Sequence, residues 1–339
     1  MSGVETRRIQ LTGGATYIIS LPKSWAERAG LKPGSEVQIV PQDSYSLLLF
    51  TAASPEASRL SESEVEISRN SPTEDIVRDF ITHYLAGYDI IHLDLKQVRA
   101  DQRVPVKDAI RKLLIGAEII TETTEKISIQ CFLGQTNLPL LNALERMETL
   151  VQSMQQDAVA ALLKGDRRLA EEVVQRDPEV DRFYFYILRQ LATAIGRSDH
   201  IRKIGLTSPR ACLGYRLVVK SIERAGDHAG RVAAIATETE LPTKSPVTDS
   251  IRKMHELAGS VFQDALHALR TTNVTLAHKT IRRVGEIGEF EEKGIRHLLH
   301  GKYPVETVLN LRLAMESLRR IAEYGADIAE TSINLSVER

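Results

Sequence analysis

The stretch QDAVAALLKGDRRLAEEVV at residues 156–174 returns farther along the chain as QDALHALRTTNVTLAHKTI at residues 263–281. Matching positions keep a constant separation of 107 residues, so that Asp157 aligns with Asp264 and Leu169 with Leu276. Such self-similarity indicates a duplicated structural unit. From residue 140 onward apolar side chains recur every three or four positions, the spacing of amphipathic helices. The C-terminal part is therefore predicted to be two copies of a helical unit.

The last helix of each copy aligns at a different separation. Leu217 matches Leu313 and Ser221 matches Ser317, 96 positions apart, so the first copy must hold a loop 11 residues longer, within residues 196–210. We predict one three-helix bundle over 138–240 and a second over 244–337. The fold class is then multidomain and mainly α.

Composition narrows the classes of protein that fit. A length of 339 residues allows two or three domains, and 26% charged with 42% hydrophobic residues is typical of a globular protein. Two cysteines without metal-ligand spacing predict a reducing compartment. Without a long apolar run or a leader, we expect a cytoplasmic protein that is not integral to the membrane. The net charge of −1 means that nucleic-acid binding would require a local basic patch.

Residues 1–54 alternate between apolar and polar side chains as strands do, and they predict the order strand, turn, strand, helix, strand, strand. The helix is expected from Pro22 to Ala29, before Gly30. A unit of this size buries little core alone, so we expect a homodimer.

The stretch RRIQLTGGATYIISLPKSWAERAGLKPGSEVQI at 7–39 resembles the SpoVT/AbrB-type swapped-hairpin domain, a dimeric DNA-binding fold. The resemblance implies that basic residues on its strands and loops reach DNA, here Arg7, Arg8 and Lys23, with Arg28 from the same positive segment. Two alternatives stay open. The charges serve only solubility, or the domain serves only dimerisation, as in several members of this fold.

Residues 63–133 predict a small βαβαββ module. Ser71 and Glu74 have the spacing of a capping box, a second helix is expected around Ile110 to Leu114, and a hairpin follows. Neither a phosphate-cradling glycine loop nor a nucleophile is evident. The module is interpreted as a spacer or a ligand-sensing element.

The stretch SIERAGDH at 221–228 places Glu223 and Asp227 four positions apart, on one face of a helix that otherwise looks buried. Asp177 and Asp181 repeat this spacing on the preceding helix, and antiparallel packing would bring the four carboxylates together. Oxygen ligands favour Mg²⁺, Mn²⁺, Ca²⁺ or Fe³⁺. A metal site is one interpretation, and solvated surface carboxylates with incidental spacing are the other.

The second copy departs from this pattern at the same places. The aligned residues are Val284, Gly288, Arg319 and Glu323, so acids are replaced and a cation is introduced. Glu323 and Asp327 keep a four-residue spacing one turn later. We therefore expect one intact metal site in the first copy and a weaker or shifted one at Glu323 and Asp327.

The two copies end in ERAGDHAGRVA at 223–233 and RRIAEYGADIAE at 319–330, and together they resemble the PhoU family. The resemblance implies a non-enzymatic negative regulator of phosphate uptake that binds metal clusters through such spaced carboxylates. The leading hypothesis is a dimeric DNA-binding regulator of transcription or phosphate uptake. The alternative is an adaptor that dimerises through the swapped hairpin, binds no DNA and docks on a phosphate transporter or a signalling partner.

Overall fold

The computed structural model describes residues 5–41, 46–51, 60–68, 71–132, 138–195, 198–239, 241 and 245–337. The chain divides into two compact units, Met1–Ser61 and Glu62–Arg339, and each is described by itself. No helix within the described ranges combines the length and the apolar character needed to cross a membrane.

The N-terminal unit consists of two hairpins and one short helix. Its elements are β1 (Gln10–Thr12), β2 (Thr16–Ile18), α1 (Lys23–Arg28), β3 (Val37–Pro41) and β4 (Leu47–Thr51). The strands pair antiparallel, β1 with β2 and β3 with β4. Gly13 and Gly14 close the first hairpin at φ of 60° and 75°, a left-handed backbone that glycine adopts without strain. The predicted order of elements is confirmed.

The apolar side chains of this unit face outward. Ile9 is 65% exposed, Tyr17 76% and Leu47 65%, and no side chain described between residues 5 and 51 is buried. Exposed apolar side chains cannot provide the hydrophobic stabilisation that folding requires. The side chains that the structure describes in this unit therefore form no buried core.

The second unit begins with an α+β module whose elements follow the predicted βαβαββ order. They are β5 (Glu62–Val65), α2 (Thr73–Leu85), β6 (Ile90–Asp94), α3 (Ala100–Leu113), β7 (Ala117–Glu122) and β8 (Lys126–Cys131). The strands form one sheet in the order β5-β6-β8-β7, parallel between β5 and β6 and antiparallel elsewhere. Both helices contribute buried side chains to its core, among them Phe80 and Ile110.

One local prediction in this module is wrong. The capping box of Ser71 and Glu74 does not form, because Pro72 occupies the cap position of α2 and makes no side-chain cap hydrogen bond. The helix predicted around Ile110 to Leu114 is present but longer than predicted: α3 begins at Ala100 and accommodates Pro105 in its second turn.

The remainder of the chain is helical. The helices are α4 (Leu140–Lys164), α5 (Arg167–Val174), α6 (Asp177–Ile195), α7 (Ser198–Lys203), α8 (Pro209–Glu238), α9 (Pro246–Thr271), α10 (Val274–Val284), α11 (Ile287–His300) and α12 (Val305–Ser336). The predicted middle helix of each bundle is divided in two, as α5 and α6 and as α10 and α11. The short helix α7 lies in the longer connection of the first copy.

The duplication extends to individual side-chain contacts. An Arg176 guanidinium nitrogen lies 2.5 Å from Asp157, and an Arg283 guanidinium nitrogen lies 2.8 Å from Asp264. Both members of the second pair stand 107 positions after those of the first. The same ion pair thus joins the first helix of each copy to the end of its second.

The contacts between the two copies also occur in equivalent pairs. The helices α8 and α12 run antiparallel, since Gly214 packs against Leu335 at one end and the Asn310 amide donates to the Thr239 hydroxyl (3.1 Å) at the other. When the two copies are aligned with an offset of 96 positions, Gly214 corresponds to Asn310 and Thr239 corresponds to Leu335. One contact is therefore the image of the other, and the copies are related by a pseudo-twofold axis between α8 and α12.

A buried arginine joins the α+β module to the first bundle. Arg189, on α6, is 2% exposed and donates hydrogen bonds to the main-chain carbonyls of Tyr84 and Tyr88, the latter at 2.7 Å. Its guanidinium also lies 4.7 Å from the Tyr84 ring centroid. The acceptors lie at the end of α2 and just beyond it, where carbonyls lack helical partners and favour a cation.

Replacement of Arg189 is expected to destabilise the second unit. Arg189→Ala leaves buried carbonyls without donors and opens a cavity, so we expect the free energy of unfolding in urea to fall by about 3 kcal/mol. Arg189→Lys should restore less than half, because an ammonium cannot reproduce the planar fork. Arg168→Ala, at an exposed ion pair on α5, should change stability by less than about 0.5 kcal/mol. Equal effects of the alanine variants would contradict this role for Arg189.

Candidate functional site

The carboxylates Asp177, Asp181, Glu223 and Asp227 meet where α6 packs on α8. The Asp177 carboxylate lies against Gly230, where an added Cβ would be 3.7 Å from its Oδ1. Burial, and after it Asp177 and Glu223, raise the pKa of Asp181 to about 6. Burial, followed by Glu223, Asp177 and Asp181, raises the pKa of Asp227 to about 7. These four carboxylates, hereafter the acidic cluster, repel one another across the helix interface.

Glu223 is the most buried member of the acidic cluster, at 8% exposure. The Lys220 ammonium lies 2.7 Å from its Oε1, while its Oε2 is buried without a hydrogen-bond partner among the described residues. The sequence pattern did not indicate Lys220, because compensating cations were expected at i+4 positions and Lys220 stands three residues before Glu223. A buried carboxylate oxygen without a partner costs free energy, and this oxygen could accept a cation.

The cluster as it stands is not a formed metal site. Across the described ranges, no three side chains of His, Cys, Asp or Glu are placed so that they could hold one metal ion. Neighbouring carboxylates help to raise the pKa of Asp177, Asp181 and Asp227, but the four side chains do not converge on one point. Ligation would require changes of rotamer, including release of Glu223 from Lys220.

At the equivalent place in the second copy, guanidinium groups lie among the carboxylates. Arg319, which aligns with Glu223, is hydrogen bonded to Glu323, and its Nε lies 3.1 Å from Glu291. Arg320 also binds Glu323, and Arg312 lies 3.1 Å from Glu291. Glu323 is thus paired with two cations. Alignment of the two copies identified Arg319 as the counterpart of Glu223. The ion pair between Arg319 and Glu291 depends on tertiary packing and has no signal in the sequence.

Asp327, the other half of the weaker predicted pair, is exposed. Burial, and then Glu330, raise its pKa, while Arg320 and Arg224 oppose the shift. His228 adjoins the acidic cluster but its ring lies 5.7 Å from the ring of Tyr324 on α12. Burial, and then Arg231 and Arg320, lower the pKa of His228 to about 4, so the imidazole is neutral at physiological pH. The His228 ring thus packs against the second copy through Tyr324.

The basic residues of the N-terminal unit are all exposed. Arg7 pairs with Glu5, and Lys23 lies 3.8 Å from Glu27. Arg8 and Arg28 make no ion pair with any residue that the structure describes. Two of the four residues assigned to DNA contact thus have a local acidic partner, and two do not.

Comparison with known proteins shows the class to which the chain belongs. The PhoU domain family matches residues 144–236 and 251–332, one match in each helical copy. These matches cover more than half of the chain, which is therefore a member of the PhoU family. A second family, described as the antidote-toxin recognition protein MazE, a bacterial antitoxin, matches residues 10–49. Neither description is that of an enzyme.

Individual relatives agree with this assignment. The chain is 26% identical over 196 residues to the phosphate-specific transport system accessory protein PhoU homolog of Pseudomonas aeruginosa, covering 56% of this chain and 78% of the relative. It is 30% identical over 177 residues to the homolog of Aquifex aeolicus, covering 50% and 74%. The crystal structure of PhoU from Pseudomonas aeruginosa superposes with a TM-score of 0.52 at 25% identity, over 58% of this chain and 94% of that one.

The raised pKa of Asp227 predicts how stability depends on pH. A carboxyl whose pKa is higher in the folded state than its ordinary 3.8 binds a proton more tightly when folded, so its contribution to the free energy of unfolding declines as pH rises from about 4 to 7. Asp227→Asn removes this cost. With EDTA present, we expect the variant to exceed the wild type in free energy of unfolding at pH 8 by about 1 kcal/mol, allowing for solvent screening, and to match it near pH 4.

The control for this experiment is Glu171→Gln, which removes an exposed carboxylate from α5. It should follow the wild type at both pH values in urea denaturation. A less stable Asp227→Asn protein at pH 8 would show that the acidic cluster is not under repulsion.

Proposed function

We propose that the chain is a dimeric, DNA-binding regulator of phosphate uptake that acts in the cytoplasm. The observation that carries the proposal is the N-terminal unit, in which apolar strands that need a partner stand beside exposed cations. A second copy would cover the strands, and pairing of the copies would double the number of cations offered to one nucleic acid. The similarity of residues 10–49 to MazE supports this assignment.

The phosphate assignment is supported by the helical half. Relatives that align with it are named as accessory proteins of a phosphate-specific transport system. We propose that this half senses phosphate status and passes it to the DNA-binding unit. Within the second unit, Arg189 connects the first helical bundle to the α+β module, which follows the N-terminal unit along the chain.

DNA binding can be tested with Arg8 and Arg28, the two of the four predicted DNA contacts that make no ion pair with any residue that the structure describes. The full chain is titrated against duplex DNA from immediately upstream of its own gene at increasing salt. We expect specific binding that weakens with salt. In a double variant, Arg8→Ala with Arg28→Ala, the slope of log affinity against log salt should be smaller by about 0.9 for each phosphate that is no longer neutralised.

The matched control is Arg99→Ala, which removes an exposed arginine that pairs with Asp101 in the α+β module. It should bind as the wild type does. If the wild type shows no specific affinity at low salt but sediments as a dimer, the alternative function is favoured. The chain would then be an adaptor that docks on a transporter or signalling partner, as the names of its relatives suggest for the helical half.

We further propose that the acidic cluster binds a hard cation, Mg²⁺, Mn²⁺, Ca²⁺ or an iron ion. The proposal is supported by the buried unpaired oxygen of Glu223 and by the carboxylates of Asp181 and Asp227, whose pKa values mutual repulsion helps to raise. A bound cation would relieve that repulsion, and carboxylate oxygens are the ligands that such ions prefer. The second copy is not expected to bind, because arginines already neutralise Glu323.

Metal content distinguishes the two copies directly. Purified wild-type protein, the pair Asp181→Ala with Asp227→Ala, and the pair Glu323→Ala with Asp327→Ala are each titrated with Mn²⁺ and analysed for metal. We expect binding by the wild type and the second-copy variant, and at least tenfold weaker binding by the first-copy variant. Equal metal in all three proteins would reject the acidic cluster as the site.

A further inference from the structure

Beside the acidic cluster, a cleft of about 470 Å³ opens between α8 and α12. Its walls carry Arg224, His228 and Arg231 from α8, and Glu316, Arg320 and Tyr324 from α12, with Asp227 at its edge. It lies at the pseudo-twofold axis, because His228 and Tyr324 are equivalent residues of the two copies and their rings are in contact. Resting on the proposed role of the helical half in sensing phosphate, we propose that this cleft binds a phosphate group, either as inorganic phosphate or at the end of a small phosphomonoester.

The cations of the cleft are only partly neutralised. Arg231 makes no hydrogen bond or ion pair with any described residue, and Arg224 contacts the Tyr324 ring at 5.8 Å without a carboxylate within ion-pair distance in the described ranges. Arg320 is paired with Glu323 and donates to the Tyr324 hydroxyl at 3.1 Å. Two guanidinium groups are therefore free to bind an anion.

The chain reaches this arrangement through its duplication. Arg224 and Arg320 are equivalent residues, 96 positions apart, so the axis places one arginine from each copy in the same cleft. Arg231 has no such counterpart, because Asp327 stands at the equivalent position. The symmetric pair and the additional arginine converge beside His228, whose electrostatic coupling to both Arg231 and Arg320 shows that these cations lie close to it.

The other groups in the cleft favour phosphate among oxyanions. Guanidinium forks match the oxygens of phosphate in pairs. The Glu316 carboxylate, which shares Arg312 at 3.6 Å, can accept a hydrogen bond. Inorganic phosphate near neutral pH retains a proton that it can donate to Glu316, whereas sulfate and a fully ionised phosphomonoester do not, so Glu316 favours the free ion. The Nδ1 atom of His228 is buried and has no hydrogen-bond partner in the described structure, which leaves a neutral imidazole able to bind the ligand.

Binding is tested on the full chain by calorimetry and thermal shift, with inorganic phosphate, glycerol phosphate and sulfate as separate probes in chloride buffer. We expect the wild type to bind at least one phosphate-bearing probe at least tenfold more tightly than sulfate. Tighter binding of inorganic phosphate would assign the free ion, and tighter binding of glycerol phosphate would assign a phosphomonoester. Arg231→Ala should weaken binding at least tenfold, and Arg231→Lys less.

Arg252→Ala is the matched control, since Arg252 is an exposed arginine on α9 that pairs with Asp249 at 2.9 Å. It should bind as the wild type does. Absence of phosphate binding by the wild type, equal binding of sulfate, or unchanged binding by a folded Arg231→Ala protein would each overturn the proposal. EDTA is present throughout, so phosphate binding is measured without metal at the acidic cluster, which shares Asp227 with the cleft.

Discussion

The close approach of α8 and α12 is the constraint on which the helical half depends. A small residue makes it possible, since a Cβ at Gly214 would lie 2.7 Å from Leu335 of α12. Gly325 has the same effect on the packing of α12 against α9 within the second copy, where an added Cβ would lie 2.9 Å from Val261. Interiors packed to this density do not accommodate an extra methyl group without displacement. Because both copies use their last helix for the contact between copies, Arg224 and His228 of the first copy face Arg320 and Tyr324 of the second.

The two copies share the same helix packing but carry different charged residues on their last helix. Both retain the ion pair between their first and second helices, as shown by Arg176 with Asp157 and Arg283 with Asp264. On the last helix, the buried Glu223 keeps one oxygen without a partner among the described residues, whereas Arg319 in the equivalent position pairs with its neighbours. The duplication has thus retained the packing of the helices while the charged residues between them have diverged.

Much of this architecture could be predicted from the sequence, because helix spacing, strand alternation and repeat offsets are local or periodic. The offset of 107 predicted that Asp157 and Asp264 are equivalent, and their matching arginine partners confirm it. Contacts without a periodic signal were missed. Lys220 reaches Glu223 from three residues before it, Glu291 reaches Arg319 from another helix, and Pro105 lies inside a helix that its residue type argues against. The cleft lined by Arg224, Arg231 and Arg320 forms between the antiparallel helices α8 and α12, and no single stretch of the sequence indicates that these helices pair.

The exposed apolar strands of the N-terminal unit would make the folding of this unit depend on the concentration of the protein. A small unit that exposes Ile9, Tyr17 and Leu47 gains its hydrophobic free energy only when another surface covers them. In the proposed dimer, folding of this unit would be a bimolecular equilibrium, and the folded fraction would rise with the amount of protein made. Dilution would unfold this unit first and leave the helical half intact. The cellular level of the chain would itself set how much of it carries an ordered N-terminus.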